Sequence, residues 1–330
     1  MRGFGKRLVC FVLSSAFGLS VADAAVLIPI VPVPGSTSTN VFGINDSNII
    51  VGSYFTADGI QHGFFGTLAG SYTTFDYGTG TTVPRAINNS GYITGQTGGA
   101  EFERSPDGSF VTIKKHGTLL SGIAQGINNS DGEFVGDYLD SQFHMVGYYG
   151  MAGKFKRDLN LSLDPTSNHP RGINSSNVVV GYFGNKGFLV RHGVASVLEY
   201  PDPAATMTIP EGINDKGLVT GVWFEANGST HGFELDTKSS TYSTIDVPGT
   251  TGSSMLGSNS SGLAAMGSEV GSFIYCPKAK RKCPGNGMEI ADGKRVHVSP
   301  GSFLRYRDAR GVATATKPMP KMRMLPWLVP

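Results

Sequence analysis

The chain has 330 residues, 39% of them hydrophobic and 16% charged, with 27 Lys and Arg against 25 Asp and Glu and a formal net charge of +2. Its 46 glycines are about twice the average usage, and helical periodicity of any length is missing. This speaks against helical architectures and for a turn-rich all-β chain.

Arg2, Lys6 and Arg7 precede an apolar segment, Leu8 to Ala22, that ends in Ala22-Asp23-Ala24. A basic start, an apolar core and a small-x-small site read as a secretory signal peptide, residues 1–24, cleaved after Ala24. The alternative is a membrane anchor, but the segment is short, and Ser14, Ser15, Gly18 and Ser20 dilute it. Cys10 lacks the small residue expected before a lipoprotein cysteine. With no other stretch able to span a bilayer, the mature protein is expected to be secreted, periplasmic or on the cell surface, and monomeric.

Residues 25–275 form the predicted repeat domain. One stretch, best seen in Gly212-Ile213-Asn214-Asp215-Lys216-Gly217-Leu218-Val219-Thr220-Gly221, recurs six times, its asparagines being Asn45, Asn88, Asn128, Asn174, Asn214 and, in a degenerate copy, Asn259. The spacings are 43, 40, 46, 40 and 45 residues. Small and polar residues after each Asn suit a tight corner, because Gly accepts positive φ and Asn or Asp can bond its own backbone. A short apolar run then closes on Gly52, Gly95, Gly136, Gly181, Gly221 or Gly267. Each copy reads as strand, hairpin, strand. A third strand follows at His62-Gly63-Phe64, Gly187-Phe188-Leu189, His231-Gly232-Phe233 and Ser272-Phe273-Ile274, and a fourth at Tyr72 to Tyr77 and Tyr242 to Val247. Four short strands per repeat predict a β-propeller of six four-stranded blades; five or seven stay open because the second and last units are poor copies. Val33-Pro34-Gly35 matches Val247-Pro248-Gly249, so the strand from Val26 to Val33 is expected to complete the sixth blade and latch the ring, removing an open edge.

From Cys276 to Pro330 the chain holds twelve Lys and Arg against three acidic residues, a net of +9, so the remainder is acidic. This basic tail, residues 276–330, carries Lys278, Lys280, Arg281 and Lys282 between Cys276 and Cys283. The cysteine pair suggests a local disulfide in an oxidising compartment; a two-ligand metal site is the rival, with no further Cys or His pair to complete it. The tail either contacts an anionic surface, lipid or acidic polysaccharide, or folds back on its own acidic domain. Its proline-rich end reads as unstructured. No aromatic-basic motif accompanies the charge, so nucleic acid is not expected as a partner.

Candidate chemistry is sparse. His62, His231 and, offset, His144 recur with the repeat and so should lie far apart around a ring, as packing or turn-bonding elements. Asp76, Asp158, Asp202 and Asp246 close fourth strands; two carboxylates about 5 to 10 Å apart would suit glycoside hydrolysis, but turn capping is the plainer role. The aromatics after the second strand, Tyr54, Phe55, Tyr138, Tyr182, Phe183, Trp223 and Phe224, offer either a stacking platform for sugar rings or packing between blades. No Gly-x-Ser-x-Gly elbow, phosphate loop or dinucleotide fingerprint occurs. Neither cofactor nor metal is called for, although a channel ringed with carbonyls has room for one structural calcium ion.

With Gly-Ile-Asn-x-x-Gly, the following Val-Gly-x-Tyr and His-Gly-Phe in view, residues 26 to 275 resemble the HAF-repeat proteins, presumed extracellular bacterial repeats. Gly63 and Gly232 stand where that family's tripeptide has Ala, and three blades lack the His. The resemblance implies export and a propeller-like β fold, and brings no catalytic residues. The expectation is an exported, non-catalytic binding or scaffold propeller of the cell envelope that recognises a glycan or other envelope component. The alternative is a propeller enzyme, a polysaccharide hydrolase or lyase with carboxylates at the channel mouth. An enzyme would bring unlike polar residues together at one mouth, in the irregular connections Gly98 to Asp107, Asp137 to His144 and Asp164 to Arg171; a purely structural protein would have no pocket.

Overall fold

The computed structural model describes residues 25–119, 121–277, 283–284, 288–290 and 295–297. The signal segment and Lys278, Lys280, Arg281 and Lys282 lie outside them. Six antiparallel sheets succeed one another along the chain. Blade 1 is Ser38–Ile44, Ile49–Phe55, Gln61–Thr67 and Tyr72–Phe75 (β2–β5). Blade 2 is Thr82–Ile87, Ile93–Thr97, Ala100–Arg104 and Phe110–Thr112 (β6–β9), followed by a two-stranded hairpin, Lys114–Lys115 and Thr118–Leu119 (β10, β11). Blade 3 is Gly122–Ile127, Glu133–Leu139, Met145–Met151 and Lys154–Asp158 (β12–β15), and blade 4 is His169–Ile173, Val179–Phe183, Lys186–Arg191 and Val194–Leu198 (β16–β19). Blade 5 is Ala205–Ile213, Leu218–Glu225, Thr230–Asp236 and Thr241–Ile245 (β20–β23). Blade 6 takes Ser253–Ser258, Ala264–Ser268 and Gly271–Pro277 (β24–β26) and is completed by Ala25–Pro29 (β1), antiparallel to β26. The protein is a six-bladed β-propeller latched by its N-terminal strand.

The latch is an unbroken apolar run because both of its faces are buried. Val26 and Ile28 pack with Val41, Phe42 and Phe64 of blade 1, whereas Ala25 and Leu27 pack with Ile245, Val247 and Met255 on the blade 5 side. Past β26, the chain adds Met288–Ile290 (β27) to the outer edge of β1 and Arg295–His297 (β28) to the outer edge of β23. Cys276 and Cys283 form the expected disulfide at the start of this segment.

The repeated motif builds the ring twice over. Within each blade the Asn side chain closes its own turn: Asn214 Oδ1 accepts the amides of Lys216 and Leu218 at 3.0 and 3.1 Å. The residue that turns the corner is left-handed in every copy, Asn48, Gly91, Gly132, Asn177, Gly217 and Gly262, which is why only Gly and Asn occur there. Between blades the same amide reaches forward. Asn45 Nδ2 donates to Asn88 O, Asn88 to Asn128 O, Asn174 to Asn214 O, Asn214 to Asn259 O, and Asn259 back to Asn45 O, at 2.8–3.1 Å. Only Asn128 departs, donating to Asn177 Oδ1. The second repeated glycine answers an aromatic ring. A Cβ on Gly221 would lie 2.3 Å from Ile209 O and 2.6 Å from the Phe233 ring, and Gly52, Gly95, Gly136 and Gly181 face Phe64, Phe102, Tyr148 and Phe188 in the same way.

A symmetry-broken channel as the candidate functional site

The first strand of each blade lines the axis, and all six carry a β-bulge at one equivalent position. The register shifts fall between Val41 and Gly43, Pro84 and Ala86, Ala124 and Ile127, Pro170 and Gly172, Pro210 and Gly212, and Met255 and Ser258. A bulge leaves one residue without a ladder partner and re-aims its side chain. That residue precedes the Gly of the motif, or Ala86 in blade 2, and it lines the channel: Phe42, Arg85, Gln125, Arg171, Glu211 and Leu256. Proline is accommodated just before Arg85, Arg171 and Glu211 because a bulged edge strand needs no amide there.

Below these side chains the strands nearly touch. A Cβ on Gly126 would sit 2.8 Å from Gly172 Cα, one on Gly172 2.9 Å from Gly212 Cα, and one on Gly257 3.2 Å from Gly43 Cα. At these three positions glycine serves the close approach, not a turn. Under this waist Ile44, Ile87, Ile127, Ile173 and Ile213 form a collar. It is shared by an upper cavity of about 90 Å³ and a lower, polar one of about 50 Å³ bordered by Asp46, Asn129, Asp215 and Ser260.

Charge breaks the sixfold pattern in the upper cavity. Arg171, with a side chain 5% exposed, has Nε 4.0 Å from Glu211 Oε2 and donates through Nη2 to Tyr182 OH at 3.4 Å. Burial lowers the Arg85 guanidinium to about 10, with Arg171 opposing its charge as well. Burial likewise pushes the Glu211 carboxyl up, although Arg171 and Arg85 favour its ionised form. Next to them Asp137, 2% exposed, accepts or shares the Nδ1 proton of His169 at 2.9 Å, and His169 stacks on Tyr182 at 4.5 Å. Ser167 Oγ lies 3.5 Å from His169 Nε2. In the neighbouring seam Tyr148 OH donates to Glu101, whose carboxyl burial drives well above its ordinary range. Several buried atoms of these residues have no hydrogen-bond partner: Gln125 Nε2, Arg171 Nε, Glu211 Oε1, Asp137 Oδ1 and Glu101 Oε1. Glu101, Asp137, His169 and Arg171 all fall within the three irregular connections where the sequence locates an active site, if one exists.

The aromatic residues divide by burial. Tyr138, Trp223 and Phe224 are interior, with Trp223 sandwiched between Tyr200 at 4.7 Å and His231 at 4.2 Å. Tyr54, Phe55, Tyr182 and Phe183 are half-buried, and Tyr182 alone of the seven reaches the channel cluster through Arg171. The recurring histidines do lie in separate blades, but the acids differ from the turn-capping reading. Asp76 pairs with His62 and Asp246 with His231, each at 2.9 Å, and Asp158 binds Lys115 and Tyr138. Asp202 does cap its turn, accepting the amide of Ala204. The cause is register: the strand-three His and the strand-four Asp stand opposite each other in one blade. Among the described residues no three His, Cys, Asp or Glu side chains converge as metal ligands, and no helix is long and apolar enough to cross a membrane.

Apart from Arg171, which bounds one of the three irregular connections, sequence reasoning missed the channel residues. Their signal is a motif position that holds five residue types in six copies, directly before the recurring Gly-Ile-Asn.

No family model matches the chain, and no curated protein matches it in sequence. Similar solved structures include a streptogramin B lyase (10% identity, 78% of this chain and 99% of that one, TM-score 0.49). A virginiamycin B lyase from Staphylococcus aureus (11%, 76% and 98%, 0.48) and a gluconolactonase from Xanthomonas campestris (11%, 78% and 90%, 0.46) are also similar. At such distances the fold rests on this chain's own strand pairing: six four-stranded antiparallel blades closed into a ring.

Proposed function

We propose that this protein is an exported binding propeller of the bacterial envelope, of the HAF-repeat kind, which recognises a glycan at the arginine-bearing end of its channel. One observation carries the reading. Six structurally equivalent bulge residues, which a purely structural ring could leave alike, are Phe, Arg, Gln, Arg, Glu and Leu, and they border a cavity with unpartnered buried polar atoms. Buried polar groups left unbonded cost about 1–3 kcal/mol each, so a ring that keeps several in one place has a use for them. Half-buried Tyr182, beside Arg171, supplies a ring edge of the kind sugars pack against. The basic residues Lys278, Lys280, Arg281 and Lys282 would add an anionic-surface contact.

A thermal-shift panel of neutral oligosaccharides, acidic polymers and calcium tests this. A ligand of the native state raises stability by about 2.7 kcal/mol at a hundredfold excess over its dissociation constant. The expected result is a concentration-dependent rise with an oligosaccharide that Arg171→Met removes. A shift by acidic polymers alone that salt erases and Arg171→Met leaves intact would assign binding to the basic tail instead. Silence across the sugars contradicts the glycan reading.

The enzyme reading, a polysaccharide hydrolase or lyase, is favoured by the Asp137–His169 pair. A carboxylate buried against Nδ1 orients an imidazole as a general base, with Nε2 facing Ser167. New reducing ends or ultraviolet absorbance from a new double bond, lost in His169→Gln, would establish it.

A further inference from the structure

We propose that Phe143, at the tip of the hairpin joining the second and third strands of blade 3, is a stacking platform for a pyranose ring. The ligand this implies is a flat, extended glycan of β-linked sugars whose hydroxyls are equatorial. The proposal rests on the reading of the channel mouth as a glycan site and names the sugar's shape. In each blade the turn from the second to the third strand holds one residue with positive φ. Five of these are glycines, Gly59, Gly99, Gly184, Gly228 and Gly271, with φ from 51° to 134°; the sixth is Phe143, with φ 63°. Blades 1, 3 and 5 share the bonding pattern as well: the amides of Gly59, Phe143 and Gly228 donate to Thr56 O, Asp140 O and Glu225 O at 3.0–3.1 Å. Asp140 Oδ1 also takes the amides of Gln142 and His144 at 2.8 and 2.9 Å, which fixes the tip. A bulky L residue is costly in this conformation. Phe143 is also the most exposed large hydrophobic among the described residues, at 83%. A single exposed apolar side chain is ordinary; one that also takes a glycine's conformation is not, and such strain gathers at ligand sites.

The surroundings say what the ring can hold. A Cβ at Gly59, Gly99, Gly184, Gly228 or Gly271 would meet nothing within 4 Å, so a side chain at this position projects into open space. Within its turn Phe143 is the one apolar side chain among Asp140, Ser141, Gln142 and His144, and Ser141 and Gln142 are exposed. A protein or lipid surface calls for a contiguous apolar patch, which one ring on a polar turn does not make. A pyranose fits: it lays a C–H face on the electron-rich ring face and turns its hydroxyls to the amide and imidazole alongside. The hairpin is also tied to the channel mouth. Met145 O accepts Asn168 N at 3.0 Å, and Gly147 N donates to Asn168 Oδ1 at 2.9 Å. The next residue is His169, which stacks on Tyr182 at 4.5 Å. Exposed Phe143 and half-buried Tyr182 are thus two aromatic stations at one end of the ring, and an extended chain spans them. A β-linked run of equatorial sugars, as in cellohexaose, is such a ribbon; an α-linked run, as in maltohexaose, coils away.

Calorimetric titration of the purified protein with cellohexaose and maltohexaose tests this. Cellohexaose is expected to bind more tightly than maltohexaose, and Phe143→Gly to weaken it about three- to tenfold. Glycine relieves the left-handed backbone, so that variant should match or exceed the parent's urea midpoint, which separates lost contact from lost folding. Phe143→Tyr should bind as the parent does, and Phe143→Leu, apolar but without a ring face, as Phe143→Gly does. If Phe143→Gly binds cellohexaose like the parent while Arg171→Met weakens it, the platform is wrong and the channel stands. Equal binding of the two hexasaccharides, or no binding of either, overturns the flat-glycan proposal, and the oligosaccharide panel then judges the channel by itself. A parent dimer in sedimentation that Phe143→Gly converts to monomer would assign the ring to a second copy of the chain instead.

Discussion

Glu101 lies in the seam between blades 2 and 3, where Tyr148 donates to its carboxyl and Asp137 opposes its ionisation. Burial holds that carboxyl well above 4.5. The folded protein thus keeps a proton that the unfolded chain releases, so this group's stabilisation is complete below about pH 4.5 and is lost as pH rises toward the folded value. Glu101→Gln preserves shape and hydrogen-bonding capacity without the titration. Its urea midpoint should therefore gain on the parent's as pH rises from about 5 to 8; parallel pH profiles would contradict the assignment. His231 shows the opposite chemistry with the same sign. Asp246 raises its pKa above 6.5, so the pair stabilises below about 6.5 and its contribution fades as pH climbs through the folded value. In Asp246→Asn the imidazole should titrate lower, readable from its proton resonances. An unchanged midpoint would sink the pairing.

At the scale of the element, one asparagine per blade does two jobs. Asn214→Ala removes two turn bonds and the bond to Asn259 O, and at about 1 kcal/mol net each should cost about 3 kcal/mol. Asn214→Asp keeps the turn acceptor but loses the inter-blade donor, and should cost about 1–3 kcal/mol for the buried carbonyl left unpaired. An Asn214→Asp variant as stable as the parent would show that the link between blades carries no weight. Gly172→Ala drives a Cβ to 2.9 Å from Gly212 Cα, and overpacking of this kind costs about 1–3 kcal/mol. The hairpin role of Gly-Ile-Asn was legible in the sequence because Asx turns and left-handed glycines are local. The forward reach of Asn Nδ2 was not, since it depends on how far each blade is rotated from the last. Nor was the glycine waist, where backbone meets backbone across blades. Arg85, Gln125 and Glu211 escaped notice, and the channel role of Arg171 with them, because a bulge, invisible in alternation, turns them from the sheet to the axis.

The whole molecule is held as a circle by a strand from its far end. Val26 and Leu27 sit in different inter-blade seams, so the latch couples blades 1, 5 and 6. Leu27 is fully buried, and Leu27→Ala should cost about 2–5 kcal/mol; a loss below about 1 kcal/mol, as surface sites give, would mean the ring does not depend on it. Matching of Val33-Pro34-Gly35 to Val247-Pro248-Gly249 revealed the latch because both ends obey one repeat. The strands β27 and β28 obey none, and were not foreseen. A ring closed this firmly can hold unlike charges at its axis without collapsing around them, which is the central claim. The most direct measurement is a crystal structure of the protein with an oligosaccharide bound. The account predicts the sugar at the mouth of the upper cavity, in contact with Arg171 and Tyr182. A sugar seated on the outer strands or the basic tail, with only water on the axis, would contradict it.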